Sequence, residues 1–247
     1  MELTKRILKL GAEVSNAEFF PALRPGASEF ALADPFAFLL ACVLDRGAPS
    51  KRIWSIPMDL HDALGHLDAA AIADMSEDSL GKVLDTLEHK PRYTRDAPKT
   101  ILGLATLVRS LPGGEIERLW RNRTAADVRR DLLDIPGVGL ALANMTVLLI
   151  ERAFGAQFGD DASKDIKADV HTMRVLCRLG YADEATPEQA IAAARMLNPA
   201  NPGALDAGLW LIGNRWCGAS RPRCEECALQ DLCSVAGRAM GQSLRSA

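Results

Sequence analysis

The chain has 247 residues, 48% of them hydrophobic and 25% charged, with a formal net charge of −3 at pH 7. That length buries a real core, as one large domain or two smaller lobes, and the composition is that of a globular chain rather than a disordered one. No apolar run approaches the roughly 20 residues that span a bilayer. Residues 1–12 carry Lys5, Arg6 and Lys9 but no apolar core with a cleavage site, so neither a membrane nor a signal peptide is expected and the cytoplasm is the default location.

In chain order, residues 2–16 read as a short amphipathic helix, which Pro21, Pro25 and Gly26 break. Asp34-Pro35 can cap and start a helix. Phe36 to Leu44 is almost wholly apolar and predicts a buried helix ending at Asp45-Arg46-Gly47. Residues 50–110 give several short helices punctuated by Pro57, Gly65, Pro91 and Pro98, one of them capped at Ser76 and ending near Leu87. Pro112-Gly113-Gly114 is a turn. Thr124 with Asp127 starts a helix as a capping box does, and that helix ends at Ile135-Pro136-Gly137. A partner helix runs from about Leu140 to Arg152. Residues 155–168, rich in Gly and Asp, read as a loop. Helices follow at 169–179, stopped by Gly180, near 187–196 and at 203–215. No period-2 strand and no internal repeat is visible, so the expected class is all-α.

Six cysteines occur, and four lie together: Cys217, Cys224, Cys227 and Cys233, spaced C-x6-C-x2-C-x5-C. In a chain expected in the cytoplasm, that density argues for metal rather than disulfides. Thiolate suits zinc or an iron–sulfur cluster, and donor chemistry alone leaves both open. Cys42 and Cys177 sit in apolar helices and are expected as buried small hydrophobes.

Pro136-Gly137-Val138-Gly139 places two glycines at a helix start. Glycine tolerates φ > 0 and close approach, and exposed N–H groups of Gly137 and Gly139 beside a helix N-terminus make a phosphate site. The net charge does not suggest a nucleic-acid binder, but local fields decide. Basic residues cluster at His89-Lys90-Pro91-Arg92 with Arg95 and Lys99, at Arg118, Arg121 and Arg123, and at Arg215, Arg221 and Arg223.

The cysteine spacing, after Gly208-Leu-Trp-Leu-Ile-Gly-Asn-Arg-Trp216, resembles the [4Fe-4S] motif of endonuclease III and its relatives. Ile-Pro-Gly-Val-Gly between two helices, followed by Asp169-Val-His171-Thr-Met-Arg174-Val, resembles the helix–hairpin–helix DNA glycosylase superfamily. The resemblance runs from about Asp34 to Cys233, weakly over 34–115 and clearly from 124 onward. It implies two lobes: a six-helix barrel over 32–150 ending in the hairpin motif, and a cluster lobe of 1–31 and 151–247 with the cluster loop at 217–233. It implies a [4Fe-4S] cluster on the four cysteines, duplex DNA with a damaged or modified base as partner, a monomer, and a place among the nucleoid-associated proteins. Gly137 and Gly139 would hold the DNA backbone, which positions without reading sequence, with Lys99 and Arg223 as further phosphate contacts.

Asp169 matches the catalytic aspartate of that superfamily. Cleaving an N-glycosidic bond develops positive charge on the sugar. A carboxylate stabilises that charge and can take a proton from attacking water, once the base has been flipped out of the duplex. The plainer reading of Asp169, an N-cap for the helix that follows, is compatible with this role.

Two departures stand out. Bifunctional relatives carry a lysine two residues after the second hairpin glycine, where this chain has Ala141. Alanine forms no Schiff base, so a monofunctional, water-using glycosylase is expected. Lys164 and Lys167 are the nearest alternative amines and read as solvated loop residues. The alternatives are a bifunctional glycosylase/AP lyase using another amine, or a non-catalytic DNA-damage-binding protein. After the apolar helix, where endonuclease III-like enzymes carry a Gln-containing turn, stands Asp45-Arg46-Gly47. Arg46 is expected to fill or probe the gap left by the flipped base, and Asp45 to face the pocket. Adenine-mismatch relatives carry a glutamate in the corresponding helix, where this chain has Cys42.

Overall fold

The computed structural model describes residues 2–235; the end of the expected cluster lobe, 236–247, lies outside them. All regular structure among the described residues is helical, with no strand. The chain divides into two compact units, one of residues 1–14 and 161–247, the other of residues 15–160. These limits differ from the expected 32–150 because Phe20 and Phe158 are both buried in the core of the second unit.

The first helix, α1 (Glu2–Glu13), stops earlier than its amphipathic pattern suggests. Ser15 begins a separate turn: its side chain accepts the Glu18 N–H, while the Glu18 carboxylate accepts the Ser15 N–H. That reciprocal capping restarts the chain in a new direction.

Unit 15–160 contains α2 (Asn16–Phe19), α3 (Ala27–Ala33), α4 (Pro35–Leu44), α5 (Ser50–Ile53), α6 (Ile56–Leu64), α7 (Ala69–Ala73), α8 (Glu77–Thr86), α9 (Ala97–Ser110), α10 (Ala125–Leu133) and α11 (Leu140–Phe154). The Asp34 carboxylate caps α4 through the N–H groups of Phe36 and Ala37. Every residue of α4 from Phe36 to Leu44 is buried, because α3, α6, α9 and α11 all pack on it. A helix apolar all round belongs in such a hub. Aromatic rings fill the space beside it: Phe20 and Trp54 lie 4.8 Å apart, Phe38 and Phe154 4.9 Å, and Trp120 stacks on Phe154 at 5.3 Å. Asp160 closes the unit by accepting the N–H groups of Ala125 and Ala126 at the start of α10.

The other unit holds α1 with α12 (Val170–Leu179), α13 (Pro187–Leu197) and α14 (Asp206–Arg215). Here α14 is the centre, with α1 and α12 packed on it. Glycines allow the close crossings. A Cβ at Gly208 would collide with the Ile7 carbonyl oxygen, and one at Gly213 would come within 2.6 Å of the His171 Cβ. The core is aliphatic and small, built from Leu3, Ile7, Val175, Leu176, Ala190, Ala194, Leu209 and Ile212 among others. Cys42 is buried, as expected, but Cys177 is partly exposed, because its side of α12 faces the Asp183 carbonyl at 3.7 Å rather than the core.

Candidate functional site

The hairpin between α10 and α11 is built locally. Gly137 has φ +85°, a left-handed conformation that favours glycine. Gly139 stands before α11 as its N-cap with no side-chain cap. The first bond into α11 runs from the Ala143 N–H to the Gly139 carbonyl at 3.0 Å, so the amides ahead of it have no helical acceptor. A Cβ at Gly139 would meet nothing within 4 Å. Open space over free amides at a helix N-terminus is what an anionic oxygen requires.

Residues far away in sequence brace this turn. Thr100 Oγ1 donates to the Pro136 carbonyl at 2.7 Å. A Cβ at Gly103 would come within 2.6 Å of Pro136 Cδ, so glycine there lets the hairpin close on α9. The Arg46 guanidinium donates to the Gly137 carbonyl and lies 5.2 Å over the Tyr93 ring. Arg46, expected to probe a gap in the duplex, is thus engaged with the hairpin itself. Asp45, expected to face a pocket, is buried and accepts the Ser50 hydroxyl at 3.1 Å. Neither Thr100 nor Gly103 has a sequence signal, since each is an ordinary helical residue until the hairpin lands on it.

Arg92, Tyr93, Arg95 and Lys99, all exposed, lie close in sequence at the start of α9, and Tyr93 is the ring under Arg46. Lys99 lies 3.9 Å from Glu77 with both side chains about half exposed, a pairing too weak to hold the ammonium against a phosphate. In the other unit, Arg223 is tied more firmly, to Glu226 at 3.1 Å and to the Arg215 carbonyl.

Asp169 is the N-cap of α12, with φ −105° and ψ 178°. One carboxylate oxygen, Oδ1, accepts both the His171 N–H at 2.8 Å and the Thr172 N–H at 3.0 Å. The Asp169 N–H donates to Thr172 Oγ1 at 3.0 Å and to the Lys167 carbonyl at 2.8 Å. The other oxygen, Oδ2, accepts no hydrogen bond from the described residues, so the cap fixes the carboxylate and leaves one oxygen presented. The residue is partly exposed, and Val170 beside it is 63% exposed.

Of the two lysines near it, Lys164 differs from expectation. The Lys164 side chain is fully buried and paired with Asp161 at 2.8 Å, whereas a solvated loop residue was expected. The difference arises because the chain around it is packed: the Lys164 carbonyl accepts the Gly203 N–H at 2.9 Å, and Ile166 beside it is in the core. Lys167 gives its backbone N–H to Asp206 Oδ1 at 2.6 Å. Ala141 lies in the first turn of α11.

Cys217, Cys224, Cys227 and Cys233 line one pocket with Val175, Leu179, Ile212, Trp216 and Leu229. None forms a disulfide. Burial pushes the Cys227 thiol up, and the fields of Cys217, Cys233 and Cys224 add to the rise. All four cysteines thus border one pocket. They do not converge on a single ion: among the described residues no group of three or more His, Cys, Asp or Glu could hold one. Two arginines of α12 shape the loop. Arg174 donates to the Cys217 and Gly213 carbonyls, and Arg178 to the Gly218 and Ala219 carbonyls and to Cys217 Sγ at 3.3 Å.

The fold and these sites define an all-helical protein of helix–hairpin–helix type with a cysteine-lined unit. No protein-family profile matches the chain. Over 203 residues it is 33% identical to the endonuclease III of Treponema pallidum, covering 80% of this chain and 82% of that one. The endonuclease III of Thermotoga maritima is 24% identical over 201 residues, 81% of this chain and 83% of its own. The chain belongs to the endonuclease III family. Solved structures show the same fold. One of a non-covalent endonuclease III–DNA complex superposes with a TM-score of 0.64 at 21% identity, covering 96% of this chain and 98% of that one. One of a thermostable thymine-DNA glycosylase superposes with a TM-score of 0.64 at 19% identity, covering 96% of each.

Proposed function

We propose that this protein is a base-excision DNA glycosylase that hydrolyses the N-glycosidic bond of a damaged or modified base, with water as the nucleophile. One observation carries this reading: Asp169 is capped through Oδ1 alone, which leaves Oδ2 presented in a fixed direction. Such an oxygen can stabilise the positive charge that develops on the sugar and take a proton from water. The hairpin amides at Gly137 and Gly139 hold the DNA backbone, with Lys99 as a further cation and Arg223 as a weaker one because of its existing partners. Endonuclease III relatives, and neighbours solved with DNA, support the reading of a glycosylase that binds DNA.

Monofunctional action follows from Ala141, which carries no amine. Lys164 is a poor substitute, since its side chain is fully buried and its ammonium would have to leave Asp161. The four cysteines suit a [4Fe-4S] cluster: thiols free of disulfides border one apolar pocket, and thiolate is the donor such a cluster takes. The cluster would tie the loop of residues 217–233 to α12 and α14 and take no part in the excision step. Iron and acid-labile sulfide in purified brown protein would support it, and zinc with no iron would overturn it.

The test of function is base excision on end-labelled duplexes. Each carries one modified base: uracil, thymine opposite guanine, an oxidised pyrimidine, an oxidised or alkylated purine, or a bulky modified cytosine. Strand breaks that need hot alkali and vanish in Asp169→Asn are expected. Breaks without alkali, with a borohydride-trapped adduct, would overturn the monofunctional reading. Excision unchanged in Asp169→Asn would overturn the role of Asp169.

A further inference from the structure

Asp206 carries no signal in the sequence. It is the first residue of α14, and a carboxylate there reads as a favourable helix start. In the structure it reaches the turn that holds Asp169. Its Oδ1 accepts the Lys167 backbone N–H at 2.6 Å. The carbonyl of the same Lys167 accepts the Asp169 N–H at 2.8 Å and the Thr172 hydroxyl at 2.7 Å. Thr172 in turn supplies one of the two N–H groups that cap Asp169 Oδ1. Lys167 is therefore gripped at its amide hydrogen by Asp206 and at its oxygen by the Asp169 turn. A connected network of this kind sets geometry more firmly than its members taken singly.

We propose that Asp206 is a positioning residue for Asp169, fixing through Lys167 the turn that presents Oδ2. This rests on the glycosylase reading. The electrostatics agree with it. Burial is the main influence on Asp206, the Asp169 charge is the next, and together they push its carboxyl up to about 7 against the opposing effect of Lys167. The residue as a whole keeps some exposed surface, but its carboxyl is enclosed.

Other charges on the elements packed against α14 turn elsewhere. On α1, Arg6 pairs with Asp231 and Glu2, and Lys5, Lys9 and Glu13 are exposed. On α12, Arg174 and Arg178 bind loop carbonyls, with Arg174 also 3.2 Å from His171 Nδ1. Asp169 and Lys167 are left as the charges that act on Asp206.

The experiment uses the full chain with carbon-13-labelled aspartate carboxyls, titrated by NMR in wild type, Asp206→Asn and Asp169→Asn. A carboxyl titrating near neutrality is expected, absent from Asp206→Asn and moved to lower pH in Asp169→Asn. A second measurement binds two probes: a duplex with a cationic pyrrolidine replacing one deoxyribose, which mimics the charged sugar, and the same duplex unmodified. Asp206→Ala, which removes the acceptor for Lys167, is expected to weaken pyrrolidine binding on the order of tenfold or more and to leave unmodified-duplex binding as it was. Asp206→Asn, which keeps an acceptor oxygen, is expected to recover most of that loss. Wild-type affinity in Asp206→Ala, or a carboxyl titrating in the ordinary range, would overturn the proposal. Should Asp206→Ala not fold, the titration and Asp206→Asn still decide. If wild type itself shows no preference for the pyrrolidine duplex, the glycosylase reading fails, while the titration separately reports whether the two carboxyls are coupled.

Discussion

The two units are held together by different means. Residues 15–160 pack around an apolar helix and a set of large rings, Phe20, Phe38, Trp54, Trp120 and Phe154 among them. Large rings bury much area each and lock against one another, and the hairpin rests on that base. Among the described residues, the unit with Asp169 has a core of alanine and branched aliphatics without a buried ring. It relies on glycine-mediated helix crossings and on arginines bound to carbonyls. The hairpin geometry therefore belongs to the better-packed unit, and the presented carboxylate to the one with less core behind it. Changes near Asp169 should disturb structure and chemistry together, whereas changes at the hairpin should act mainly on binding.

Asp169→Asn gives the sharpest contrast. The amide keeps an oxygen for the two capping N–H groups, so folding and plain-duplex binding should stay close to wild type. Excision should fall on the order of 100- to 1000-fold, as it does when one preorganised electrostatic group is removed from a reacting centre. Single-turnover excision beside a duplex-binding titration checks this. Loss of binding in parallel with excision would show that the two functions are not divided between the units as described.

The next largest effect is a pH dependence confined to the unit with Asp206. Its carboxyl is pushed from 3.8 up to about 7 in the folded chain, so between those values the folded state holds a proton that the unfolded state has released. Stability from this group is fully present below about pH 4 and is lost as pH rises through about 7. Relative to wild type, Asp206→Asn should gain stability from pH 5 to pH 8, by at most about 3 kcal/mol. Denaturant melts at a series of pH values measure the gain. No change in the difference between the two proteins would mean that Asp206 is ionised throughout.

Gly208→Ala tests the glycine crossings. Its Cβ has no room against the Ile7 backbone, so α1 must shift from α14 at a cost of about 1–3 kcal/mol. Hydrogen exchange should place the loosening in α1, α12 and α14, with protection in α4 and α11 unchanged. Uniform loosening across both units would remove the distinction drawn here.

Local rules made much of this visible in the sequence. The hairpin needs only its own glycines and proline, and Gly137 does adopt a positive φ. Asp34, Ser76 and Thr124 cap the helices they precede, and the apolar run 36–44 is buried throughout. Asp169 is a cap as its position implied. What stayed hidden depends on partners distant in sequence. Lys164 looked solvated because nothing near it announced the packing of residues 164–166. Asp206 lies 39 positions from the amide it binds, and Thr100 lies 36 from the carbonyl it supports. Periodicity places such residues on a helix and is silent about what comes to rest against them.

Arg46 carries the smallest predicted effect and tests the hairpin side of the comparison. Its sequence position suggests a side chain that enters the duplex. Its observed contacts are the Gly137 carbonyl, Thr100 Oγ1 at 3.4 Å and the Tyr93 ring. These two roles predict different binding patterns. A brace for the hairpin acts on every duplex alike, because the hairpin reads backbone. A probe acts only where a base has left the stack. Removing a charge-assisted contact of this kind costs about 1–2 kcal/mol, and the observed geometry assigns that loss to the hairpin. Arg46→Ala should therefore weaken plain and pyrrolidine-containing duplexes by the same factor, while Arg46→Lys, which loses the planar fork and the ring contact, should recover only part of it. A loss restricted to the pyrrolidine duplex would mean that Arg46 leaves Gly137 when DNA binds and that the contact seen here is its resting place.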